Sequence, residues 1–227
     1  TVTQAALSNS TESLQLMADM TGGIASINTN NFKQAFKNIE RDLQSYYSLG
    51  YRAGTERVDR QRNLDVRIKN RSYIVRSRQT FVEKSTFAEM NDRVIANLLY
   101  KVKANDLNIL VKAGTPVPTE DLFRVPVEIQ IPMEKLTLLP QGEAYMGGFS
   151  VYVAVANKLG DMSDVNRQTH QIRVPNSDYS KIKGKYYAYS LDLVMEPGPN
   201  RISVGVVDDV SNVTGFDRIP INAADLR

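Results

Sequence analysis

Cysteine and tryptophan are absent from the 227 residues, and histidine occurs once, at His170. Without cysteine there is no disulfide, no thiolate metal site and no cysteine nucleophile. A single histidine excludes a two-histidine metal site and leaves little for a conventional serine triad, so His170, between Thr169 and Gln171 in a strand-like stretch, reads as structural or exposed. No apolar run approaches the roughly 20 residues that span a bilayer. No Walker loop or dinucleotide fingerprint occurs, and Met146, Gly147 and Gly148 read as a bend before a strand. The chain starts at Thr1 with no basic stretch and apolar core ahead of a cleavage site, so it is expected to be a mature or cut product whose upstream part, with any export signal, is missing.

What is present is unevenly distributed. The net charge is +3, yet residues 52–78 alone carry nine basic side chains against Glu56, Asp59 and Asp65, so the remainder is acidic. Such a cluster could draw an anionic surface. The alternation of Leu64, Val66 and Ile68 with Arg67 and Lys69 reads instead as a hairpin with its charged face in water. No aromatic residues interleave with the charge in a nucleic-acid motif, so no nucleic-acid partner is expected.

The organising stretch is residues 31–51. Phe32, Ala35, Phe36, Ile39 and Leu43 fall at helical spacing, and Tyr47, Leu49 and Tyr51 then alternate as a strand does. Upstream, residues to about Ser8 read as loose, Asn9 and Glu12 cap a short helix that Gly22 and Gly23 end, and residues 24–27 read as a brief strand. Helix, strand, helix, strand predicts the back half of a doubly wound α/β domain with parallel strands. Two alternating segments, 63–69 and 72–78, then flank Asn70 and Arg71 as a tight hairpin.

Thr86 and Glu89 form a capping box for an amphipathic helix to about Lys103, expected to lie between two domains. Gly114, Pro116 and Pro118 mark a boundary. From Leu122 short strands follow at regular intervals, about seven in all, which predicts an immunoglobulin-like or fibronectin-like β-sandwich without the antibody cysteines and tryptophan. In its first strand Val125, Val127, Ile129 and Ile131 alternate with Pro126, Glu128, Gln130 and Pro132, and the two prolines predict an edge position. The expected class is α+β overall: residues 1–82 the end of the doubly wound domain, 83–121 helix and linker, 122–227 the sandwich.

The segments LMADMTGG (16–23), DLQSYYSLGYR (42–52) and VRSRQTF (75–81) resemble the end of the von Willebrand factor A-related domain of secreted bacterial proteins of acidobacterial type. VPVEIQIPMEKLTLLPQG (125–142), FSVYVAVAN (149–157) and YSLDLVMEPGPNRISVGVVDD (189–209) are similar to the carboxy-terminal part of the same family. The resemblance implies export to the cell envelope, periplasm or medium. It also implies that a divalent metal, bound in that family by an Asp-x-Ser-x-Ser loop with a threonine and an acidic residue from later loops, belongs to the missing upstream half. Asp161, Ser163 and Asp164 lack the second serine, and the metal role is not carried onto them.

No cofactor is expected. Asp161, Asp164, Asp208, Asp209 and Asp217 fall in or near turns, where carboxylates either bind calcium or bond their own backbone, and the second reading is preferred. Tyr186 beside Lys181, Lys183 and Lys185 is the candidate partner surface of the second half, with Arg67, Arg76 and Arg78 that of the first. Tyr187 and Tyr189 share a face with Leu191 and Leu193 and are expected in the core. The function these features predict is a non-enzymatic, exported interaction or scaffold protein with a protein partner. The alternatives are an ancillary glycan-binding module of an extracellular enzyme and an inactive structural fragment.

Overall fold

The computed structural model describes residues 2–44, 46–50, 58–70, 72–73 and 75–224. Tyr51 and Arg52 of the expected strand, loop residues 53–57 and Arg71 of the expected hairpin turn lie outside the described residues. The chain divides into two units, Thr1–Ser85 and Thr86–Arg227.

In the first unit helix α1 spans Val2–Thr21, so the expected loose start is instead helical from Val2. Its end follows from Gly22, which has φ +73 and whose neighbour Gly23 donates its amide to the Ala18 carbonyl at 2.9 Å, the six-to-one bond of a Schellman cap. A Cβ at Gly22 would also stand 2.5 Å from the Ser77 carbonyl carbon, so two constraints exclude any other residue there. Helix α2 spans Phe32–Gln44, with the Asn31 side chain accepting the Gln34 amide as its cap.

Strands β1 (Gln61–Asn63) and β2 (Thr80–Val82) pair antiparallel, Arg62 opposite Phe81. The hairpin is thus paired at its base, and its arms 64–70 and 75–79 are not strands. The Gln79 amide donates to the Met20 carbonyl, and Arg76 reaches Asp42 of α2.

The second unit begins with α3 (Thr86–Leu99). One sheet orders β11 (Thr214–Ala223), β10 (Gly198–Asp208) and β7 (Ala144–Asn157), with β6 (Leu139–Gln141) and β8 (Asn166–Pro175) also paired to β7. The other is built on β5 (Leu122–Pro132), flanked by β3 (Leu110–Ala113) and β4 (Val117–Thr119) in tandem and by β9 (Tyr186–Met195). The two sheets enclose one core: Val125, Val127, Ile129 and Ile131 of β5 belong to it with Phe149, Val151 and Val153 of β7 and Ile202, Val204 and Val206 of β10. Alternation places the remaining β7 residues on the outer face. There Tyr152, Ala154 and Ala156 meet Met90, Val94 and Leu98 of α3 in a second core. Burial of each of those three helix side chains contributes about 1.5–3 kcal/mol.

These findings correct the expected fold class. Every strand pairing among the described residues is antiparallel, so there is no doubly wound sheet, and residues 24–27 and 46–50 form no strand. The alternating Tyr47 and Leu49 have no sheet to receive them and stand in solvent. The immunoglobulin- or fibronectin-like sandwich starting at residue 122 is corrected too. The unit starts at Thr86, its helix covers a sheet of that unit, and β3 and β4 come from the stretch expected to be linker.

β5 is central rather than an edge. The Gly114 amide donates to the Pro126 carbonyl at 2.7 Å, so the Pro126 nitrogen faces the same side, into the break between β3 and β4 where no donor is required.

Candidate functional site

The two expected surfaces fall in different units. In the first, Arg67 bonds Asp65 at 2.7 Å, which raises the guanidinium pKa, Arg76 pairs with Asp42, and Arg78 Nε donates to the Thr80 carbonyl at 2.7 Å. Arg67 and Arg78 thus bond within the hairpin, whereas Arg76 ties it to α2. Asp59 is the other titratable feature here. It accepts the Ser85 amide at 2.7 Å, and bonding from Ser85 holds its carboxyl below the usual range.

In the second unit Tyr186 opens β9 and is 53% exposed. Lys181 Nζ donates to Asp178 at 2.7 Å, the Lys185 carbonyl accepts the Met133 amide, and Lys183 is exposed. Tyr179, near Lys181 in the chain, stacks on Tyr145 with centroids 3.7 Å apart. Tyr187 and Tyr189 point inward, Tyr187 edge-on to Phe149 at 5.1 Å and Tyr189 4.4 Å from the His170 ring. Burial raises the Tyr189 phenol, which donates to Gln168. His170 packs on Phe149 and has a buried Nε2 without a hydrogen-bond partner among the described residues.

The polar group that sequence reasoning missed lies on the outer face of the other sheet. Ser150 Oγ is fully buried, donates to Asp209 at 2.9 Å, lies 2.9 Å from Thr169 Oγ1 and accepts Arg167 at 3.3 Å. The Arg167 guanidinium rests 5.6 Å from the Tyr152 ring and 5.8 Å from Phe87 at the start of α3. Burial is the main cause raising the Tyr152 phenol; Arg167 opposes it and Asp209 adds to it. Ser150 interrupts an otherwise apolar central strand, which was the available signal. Its neighbour in register is Thr169, whereas His170 pairs with Phe149 on the inner face, so this serine and the histidine are separated by the sheet. Through Arg167 the arrangement meets Phe87 at the start of α3.

Of the turn aspartates, Asp161, Asp208, Asp209 and Asp217 bond protein through their carboxylates. Fully buried Asp208 accepts the amides of Thr137, Val210 and Ser211 at 2.5, 2.8 and 3.0 Å, Asp161 accepts Asn157 Nδ2, and Asp217 accepts the Arg218 amide. Among the described residues no group of three or more acidic or histidine side chains is placed to hold a metal. Nor is any described helix long and apolar enough to cross a membrane. An open depression of about 470 Å³ at one end of the sheet is lined by Lys158, Pro199, Arg201, Pro220 and Asn222 among others.

No protein-family model matches the chain, and no curated protein matches it. Solved structures similar to it include the putative ApaA protein from Bordetella pertussis, 12% identical over 55% of this chain and 98% of that one, with a TM-score of 0.33. A protein from Archaeoglobus fulgidus is 8% identical over 52% of this chain and 98% of that one, with a TM-score of 0.27. A beta-glucosidase from Listeria innocua is 12% identical over 51% of this chain and 16% of that one, with a TM-score of 0.24. Likeness at this level leaves the fold resting on the chain's own strand pairings.

Proposed function

We propose that this chain is a non-enzymatic, exported interaction and scaffold protein that binds another protein through helix α2. The observation that carries this reading is the state of the helix's apolar stripe: Phe32, Phe36, Ile39 and Leu43 are 65%, 69%, 48% and 76% exposed, and α2 buries no residue. A 13-residue helix is marginal by propensity alone and draws most of its stability from covering such a stripe. Tyr46, Tyr47 and Leu49 extend the exposed apolar surface beyond the helix. Lys33, Lys37 and Arg41 recur at four-residue spacing one position along from Phe32, Phe36 and Glu40, so a basic row flanks the stripe. The partner that fits is a protein with an apolar groove rimmed by carboxylates, reading anchors at helical spacing. The resemblance to secreted von Willebrand factor A-related proteins supports export.

The test is a saturable pull-down from envelope and secreted material with the wild-type chain beside a Phe36→Glu, Leu43→Glu double variant. The reading expects one saturable protein, lost with the double variant and weakened by added salt. Capture that ignores both changes would remove α2 from the function.

A further inference from the structure

The strand edges of the second unit are treated unequally. Natural sheets protect a free edge with proline, charge, a bulge or short length, because unpaired amides and carbonyls otherwise recruit another strand. β3 and β4 are four and three residues long, with Lys112 in the first and Pro118 in the second. β8 carries Arg167, Arg173 and Pro175. β11 is covered at its start, where Phe216 donates to the Ala104 carbonyl, and contains Pro220 further on. β9 has only one of these devices, a single charge. Its ten residues, YYAYSLDLVM, include no proline, glycine or basic residue, and its one charge, Asp192, lies 3.9 Å from Arg124 of the neighbouring strand. One side of β9 pairs with β5 from Tyr186 to Met195, and no strand among the described residues pairs with the other.

We propose that the free edge of β9 pairs antiparallel with the β9 edge of a second copy of this chain, about a twofold axis at Ser190. The occupant follows from the strand's self-complementarity. With Ser190 opposite itself, Tyr186 faces Val194 of the other copy, Tyr187 faces Leu193 and Tyr189 faces Leu191, so an aromatic side chain meets an aliphatic one at every such position on both faces. Tyr186 and Val194, 53% and 60% exposed on the outer face, cover one another. Asp192 falls opposite Ala188, so no like charges meet. A shift by one residue would set inward side chains against outward ones, and a shift by two would set Asp192 opposite Tyr186 or Ser190 and break the matched pairs. The pairing joins two three-strand-wide sheets into one continuous sheet. It rests on β9 and not on α2, so it stands or falls separately from the proposed partner site.

The test is sedimentation velocity of the full chain across micromolar to millimolar concentration, with Ser190→Lys and Ser190→Glu variants. Ser190 is exposed and its cross-strand neighbour in β5 is Glu128, so Ser190→Lys suits the monomer while setting two lysines against each other across the axis. The wild type is expected to dimerise, Ser190→Lys to weaken dimerisation at least tenfold, which is about 1.4 kcal/mol, and an equimolar mixture of the two variants to restore it as the mixed dimer. Hydrogen exchange should show β9 amides gaining protection with concentration. A wild-type chain monomeric throughout overturns the proposal, whatever other proteins it binds. So does a dimer that Ser190→Lys leaves intact, which would place the contact on another surface such as α2. A circular-dichroism melt of Ser190→Lys matching the wild-type monomer certifies its fold.

Discussion

Asn97 Nδ2 donates to Ser203 Oγ at 3.0 Å, and neither residue reaches solvent although 106 positions separate them. The same amide donates to the Asp217 carbonyl and accepts the Val102 amide, while Ser203 donates to the Val94 carbonyl. A helix, its following loop and two strands are thereby tied by one buried side chain. Replacing Asn97 with Ala leaves the Val102 amide and the Asp217 carbonyl without it, at roughly 1–3 kcal/mol for each group left unsatisfied. Denaturant unfolding should show a loss of about 3 kcal/mol for Asn97→Ala, and a smaller one for Ser203→Ala, which keeps most of the amide's bonds. Equal small losses would mean that water substitutes for the amide.

Gly205 lies directly beneath α3. A Cβ there would stand 2.7 Å from Val94 Cγ2 and 2.8 Å from Phe216 Cε1, so Gly205→Ala should destabilise the second unit by about 1–3 kcal/mol through overpacking. In a Val94→Ala background the added methyl has somewhere to go, and the cost of Gly205→Ala should fall. Full additivity of the two changes would put the strain elsewhere.

Some of this was legible in the sequence. The capping box at Thr86 and the apolar period of α3 located that helix. Two inferences misled for opposite reasons. Pro126 suggests an edge because proline lacks a donor, but the interruption between β3 and β4 removes the need for one on that side. The helix-then-alternation pattern at 31–51 was read as a parallel α/β unit because periodicity reports which residues would share a face, not whether a sheet exists to meet it. Ser150 and Asp209 were illegible as a pair, since only the return of β10 beside β7 brings them within 2.9 Å.

Asp59 gives the first unit a pH dependence of known sign. Its pKa is lowered in the folded chain by the bond from Ser85, so the folded state binds this proton less readily than the unfolded state does. The stabilisation is therefore complete above the unfolded carboxyl value of about 3.9 and is lost as pH falls through the lower folded value. Hydrogen exchange at the Ser85 amide should quicken, after correction for intrinsic rates, as the pH falls below about 4. An Asp59→Asn variant should show no such acid step.

Asp208 is fully buried with three backbone amides converging on its carboxylate. Asn in its place keeps the shape but converts one acceptor oxygen into a donor facing an amide, either that of Thr137 or those of Val210 and Ser211. Asp208→Asn should cost about 1.5–3 kcal/mol, the range for a bond to a charged group, and hydrogen exchange should quicken in the β10–β11 turn. An unchanged unfolding midpoint would show that the turn holds without the charge.

Phe36→Glu and Leu43→Glu change side chains that are mostly in water, so each should alter stability by no more than about 0.5 kcal/mol. A much larger loss in thermal unfolding would show that the stripe is covered within the chain itself.

The helix laid over the outer face of β7, β10 and β11 bears on how this unit can be inherited. A gene fragment starting at Leu122, where the composition changes, would lose β3 and β4 along with α3 and leave Tyr152, Ala154, Ala156, Val207 and Phe216 without their cover. Shuffling at that apparent seam would yield a sticky and poorly soluble product, whereas a cut ahead of Thr86 transfers an intact unit. The heritable boundary thus lies 36 residues before the compositional one, and recombination that respects it carries α3 and its companion strands as one piece.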